Sequence, residues 1–98
     1  MAHIPVVTAN AGAPAVRISS DSLPCREFIV QVYPATYTGK VYVGRDSTTS
    51  TANYVFWLEG GGTIWKEESQ NPQLYREDPS SWWFVVDVNG GGFTGGTK

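Results

Sequence analysis

Apolar and polar positions alternate with a period of two along much of this chain, the spacing of strands that bury one face. In Glu27–Tyr33, the residues Phe28, Val30 and Val32 share a face. Over residues 40–44, Val41 and Val43 point inward while Lys40 and Tyr42 point outward. Over residues 82–88, Trp82, Phe84, Val86 and Val88 form one face and Trp83, Val85 and Asp87 the other. Val16 and Ile18 mark a shorter strand within residues 15–19, and residues 63–66 mark another. β-branched and aromatic residues dominate these runs, as strands prefer.

Turn chemistry separates the runs at the roughly ten-residue spacing of sandwiches and barrels. Residues 34–39, from Pro34 to Gly39, predict a hairpin between two strands. Residues 46–51 form a polar loop, Gly60-Gly61-Gly62 a tight or flexible connection, and Asn89-Gly90 a hairpin-type turn. The one helical candidate, residues 66–77, is cut by Pro72. Residues 1–14 hold four Ala with Pro5, Gly12 and Pro14, and carry one short strand signal, residues 4–8. Five of the last nine residues are Gly, and ordering them costs much backbone entropy. The expectation is an all-β domain: an antiparallel β-sandwich or small barrel of about six to eight strands, with extended N- and C-terminal arms. Residues 1–14 are the expected N-terminal arm, 15–89 the sandwich and 90–98 a Gly-rich tail.

Composition narrows the function. The chain has 98 residues, and scaling gives about 10,000 Å² buried on folding, enough for one modest core. That leaves no room for a catalytic domain with a lid and a cofactor site. Charged residues make up 16%, with 4 Trp, 5 Tyr and 4 Phe, which argues against disorder. The net charge of −2 supplies no basic field for nucleic acid or anionic lipid, so neither is an expected partner. No apolar run approaches the ~20 residues of a helical membrane span. The first residues lack the basic and long apolar regions of a signal peptide, pointing to synthesis in a cytoplasm.

The chemistry-bearing residues are few. Cys25 is the single Cys and His3 the single His. Neither a cysteine zinc site nor a histidine-based nucleophile pair is available. Cys25 is expected as a packed or half-exposed thiol rather than a nucleophile, although Arg26 adjoins it. Glu67-Glu68 and Glu77-Asp78 are neighbours whose side chains diverge in extended chain, so neither makes a catalytic dyad. The glycine runs lack the Lys and following helix of a phosphate loop. Asp46, Ser47, Thr48 and Thr49 offer oxygens but one carboxylate, too few for a calcium loop. No catalytic, cofactor-binding or metal-ligating residue is therefore assigned, and no cofactor is expected.

The aromatic residues carry more. Residues 53–58 and 82–86 are apolar on both faces, whereas a sandwich buries only one face of each sheet. Three placements are open for Trp57 and Trp83: the core, an interface between protein chains, or a platform on which sugars stack. Phe93, alone in the glycine tail, joins them as a candidate interface anchor. Arms that are costly to order alone become useful when they lie along neighbouring subunits.

Three segments in fixed order carry a resemblance: Val16-Arg17-Ile18-Ser19-Ser20, Pro24-Cys25-Arg26-Glu27-Phe28-Ile29-Val30-Gln31, and Gly39-Lys40-Val41-Tyr42-Val43-Gly44. They resemble small virion proteins of tailed bacteriophages, over residues 15–44 and more weakly through 58–61. The resemblance implies a non-enzymatic β-sandwich subunit of the capsid surface, a decoration or cement protein. It implies a homo-oligomer, with a trimer favoured, and the major capsid protein as partner. A neck- or fibre-associated virion protein and a carbohydrate-binding or host-attachment module are the alternatives.

Overall fold

The computed structural model describes residues 3–20, 25, 27–67 and 78–97. Eight strands make two antiparallel sheets. They are β1 (His3–Ala9), β2 (Val16–Arg17), β3 (Glu27–Tyr33), β4 (Val41–Gly44), β5 (Phe56–Leu58), β6 (Thr63–Glu67), β7 (Trp83–Val86) and β8 (Gly91–Thr97). The first sheet has the order β1-β8-β3-β6 and the second β2-β7-β4-β5. A 3₁₀ turn, Pro79–Ser81, precedes β7, capped by the Asp78 carboxylate accepting from the Ser80 amide at 2.9 Å. The fold is the all-β antiparallel sandwich that the alternation predicts.

The core lies between the sheets. Phe28, Val30 and Val32 of β3 face Val41 and Val43 of β4 and Phe84 and Val86 of β7, and all are buried. Phe84 and Phe93 meet edge to face across this space, with ring centroids 5.2 Å apart. The Cys25 side chain is buried in the same cluster.

Both ends of the chain differ from expectation. The segment expected as an N-terminal arm contains β1, longer than the short strand signal, and Ile4 is fully buried. The segment expected as a glycine tail is β8, which lies between β1 and β3. Its glycines answer crowding rather than a need for flexibility. A Cβ on Gly92 would overlap the Val7 carbonyl oxygen of β1, and one on Gly95 would overlap the Ile29 carbonyl oxygen of β3. Phe93 sits between them, opposite Val7 and Val32, and is the side chain this strand sends into the core.

The connections also differ. Among the described strands, β4 and β5 are the one sequence-adjacent pair that also pairs within a sheet; the other successive strands alternate between the sheets. Residues 34–39 and Asn89-Gly90 do reverse the chain, but each leads into the opposite sheet instead of closing a hairpin. Side chains fix these crossings. Tyr37 bonds to the backbone of Val88, and Asn89 accepts from the Ala11 amide at 2.8 Å. Gly90 reaches the positive φ of 92° that the second turn requires. Apart from Lys66 and Glu67, which end β6, the helical candidate lies outside the described residues.

Candidate functional site

Outward-pointing residues of the second sheet form an aromatic face. Tyr42 stands opposite Val85 on one side and Trp57 on the other, so the row Val85–Tyr42–Trp57 crosses three strands. The next row is Arg17–Trp83–Gly44. Tyr54 comes back over Tyr42, with ring centroids 5.0 Å apart and planes at 62°. Local sequence sets this arrangement. Outward parity on β4 gives Tyr42 and Gly44, and the polar turn 46–53 returns the chain across the sheet at Gly44. A side chain on Gly44 would collide there with Thr49, which is itself buried.

Each tryptophan of this sheet carries a cation. Lys40 Nζ lies 4.5 Å from the Trp57 ring centroid, and the Arg17 guanidinium 5.0 Å from that of Trp83. Arg45 lies 4.2 Å over Trp82, which turns inward and packs against Phe56 at 6.0 Å. A ring quadrupole attracts a cation by about 0.5–1 kcal/mol at exposed sites. Each cation thereby gains a fixed position beside an apolar surface.

The sequence candidates separate cleanly. Trp57 is 42% exposed at the β5 edge, next to Tyr54 and to Val55, which is 60% exposed. Trp83 is half-buried on the same face, toward the β2 edge. Phe93 is 0% exposed, so it is a core residue and not an interface anchor. Its place in a glycine-rich strand hides it, because no alternating neighbours reveal which way it points. The structure adds Tyr54, Val55 and Lys40 around Trp57, and sets Arg17 beside Trp83 at the opposite, β2 edge. The outward parity of Lys40 and Tyr42 is visible in sequence; the return of Tyr54 over Tyr42 is not.

The polar loop is internally committed. The Asp46 carboxylate accepts from the Thr48 amide at 2.9 Å and from the Thr48 hydroxyl, while Thr49 Oγ1 donates to the Asp46 carbonyl at 2.7 Å. The Thr48 hydroxyl and then its amide hold the Asp46 carboxyl below the ordinary value of 3.8. Asn53 closes the loop through its amide to Thr48 Oγ1 at 3.0 Å. Among the described residues, no three His, Cys, Asp or Glu side chains converge on one point. What the face offers is apolar area, hydrogen-bonding phenol groups and placed cations, the materials of an interface.

Compared with known proteins, the chain matches no family model, no curated protein and no solved structure.

Proposed function

We propose that this chain is a structural virion protein, a capsid decoration subunit that binds the major capsid protein and stabilises the shell. The observation that carries the reading is the exposure of Tyr54, Val55 and Trp57 at and just before the β5 edge, with Phe56 between them packed against the core. Isolated exposed apolar residues are ordinary, but a cluster of them bordered by cations and polar loops marks a docking surface. Trp and Tyr are enriched at such surfaces because they bring large rigid area at low entropy cost. The virion context rests on the resemblance of the three segments in residues 16–44 to small virion proteins of tailed bacteriophages. In this reading the subunit assembles as a trimer. Each copy adds contacts that exist only on the assembled shell, and many copies act together.

The test uses particles. Heads assembled without the chain lose their genome at lower temperature than decorated heads. Trp57→Ala lowers occupancy, with a loss of about 2 kcal/mol per copy if this ring is an anchor. Equal thermal resistance of bare and decorated heads overturns the cement role. Unchanged attachment of both Trp57→Ala and Val55→Glu moves the docking surface elsewhere. Binding of soluble glycans with quenching of Trp57 fluorescence replaces the reading with a carbohydrate-binding one.

A further inference from the structure

On the side of the sandwich away from Trp57, the edge strands β1 and β2 line a half-open groove of about 650 Å³. That size lies within the roughly 300–1,000 Å³ of ordinary ligand pockets. Its walls are apolar, with Val6 and Val7 on one side and Val16 and Ile18 on the other. The polar contribution is cationic or neutral. Arg17 lines the groove with its guanidinium held against Trp83, and His3 stands in the β1 wall. Among the described residues no Asp or Glu lines it, in a chain whose net charge is −2. A guanidinium held on an indole keeps its in-plane N–H fork for a carboxylate.

Two further features define the occupant. Among the described residues, β1 and β2 each pair with one neighbour, β8 and β7, so each stands at the edge of its sheet with its outer backbone groups unpaired by any described strand. This favours an extended segment lying between two edges over a compact molecule. Pro5 has no N–H to give, and a register shift interrupts β1 between Ile4 and Val7. A long strand therefore cannot add to β1 in continuous register.

We propose that this groove docks a short, extended, apolar segment of a partner protein that carries one carboxylate. Its apolar side chains lie between Val6 and Val16, and its carboxylate meets Arg17. The inference rests on the reading of the chain as an assembly protein and deepens it. The β5 edge and this groove lie at opposite edges of the second sheet, so one subunit touches two partners.

The full chain, labelled with ¹⁵N, is titrated with an acetylated Val-Ile-Glu-Val amide, with the Gln counterpart of that peptide, and with octanoate. The Glu peptide is expected to shift the amides of His3, Ile4, Val6 and Val7 and of residues 15–20, and to alter Trp83 fluorescence. The Gln peptide binds at least tenfold more weakly, and Arg17→Gln, checked for an unchanged amide spectrum, removes the difference. Equal binding of the Glu and Gln peptides overturns the proposal, as does the absence of shifts in the groove at millimolar peptide. Octanoate binding as tightly as the peptide also overturns it, because the groove then belongs to a free amphiphile. The titration needs no capsid. Failure here with Trp57-dependent attachment intact removes only the groove, and the reverse pattern removes only the virion reading.

Discussion

Tyr37 and Val88 are joined by two hydrogen bonds across 51 residues of sequence. The phenol donates to the Val88 carbonyl at 2.6 Å and accepts from the Val88 amide at 3.1 Å. One side chain thus locks the crossing from β3 to β4 onto the crossing from β7 to β8. Nearby, Asp87 accepts from the Lys40 amide at 2.6 Å, and the Tyr37 ring fills the space a side chain on Gly91 would take. Tyr37→Phe keeps the ring and leaves both Val88 groups without this partner. It is expected to cost about 2 kcal/mol of stability, read from denaturant midpoints at constant slope.

The same phenol gives an alkaline signature. Burial raises the Tyr37 pKa above 10.0, outweighing the hydrogen bond to Val88, which lowers it. The unfolded chain then ionises first as pH rises. The stability this group contributes is complete below pH 10 and is lost as pH climbs through the folded value. Denaturant curves from pH 8 to pH 11 are expected to fall more steeply for the native chain than for Tyr37→Phe.

At the acid end the sign reverses. The Asp46 carboxyl is depressed below 3.8, so its contribution is present above that value and is lost as pH falls through the lower folded one. Thr48→Val removes the hydroxyl that is the larger cause. The carboxyl carbon of Asp46, followed by NMR, is expected to titrate at higher pH in that variant than in the native chain.

Truncating two aromatic residues separates the core from the face. Phe93→Ala opens a hole opposite Phe84 and is expected to cost about 4 kcal/mol. Trp57→Ala gives up the Lys40 stacking and an exposed ring, so folding stability changes by less than about 1 kcal/mol. Calorimetry of the two variants checks the contrast. Comparable losses would place Trp57 in the fold rather than on a docking surface.

Gly95→Ala tests the reason for the glycines. Its new methyl meets the backbone at Ile29 and Val30, which cannot rotate away. A loss of about 3 kcal/mol is expected, against little change for Thr94→Ala beside it. Equal, small effects would mean that β8 has room to spare.

Period-two alternation made the core faces of β3 and β4 legible, because Phe28, Val30, Val32, Val41 and Val43 each sit between polar or outward neighbours. It said nothing about β8. Glycine has no side chain to alternate, and its requirement here is set by Val7 and Ile29, far away in sequence. The turns were legible as reversals, since Asn89-Gly90 is local chemistry. The sheet each reversal enters is decided by distant partners such as Tyr37 with Val88 and was not. The same division governs the site. Trp57 and Trp83 stand in runs whose excess apolar character shows in the sequence, and both reach the surface to some degree. The groove is built from β1 and the segment after Pro14, each an edge of its own sheet, placed by pairing with β8 and with β7.

The place of β8 also sets the order in which this protein comes into being. β1, β3 and β6 are synthesised before the strand that stands between β1 and β3, so the first sheet stays divided while the ribosome works. Its remaining strand is the poorest in intrinsic strand preference, and nearly all links join opposite sheets, a topology that folds slowly. Completion of the first sheet is therefore expected to wait for β8 to clear the ribosome. A nascent chain stalled before Gly91 exposes an open β1 and β3, and removing the last strand by proteolysis undoes the sheet instead of trimming it.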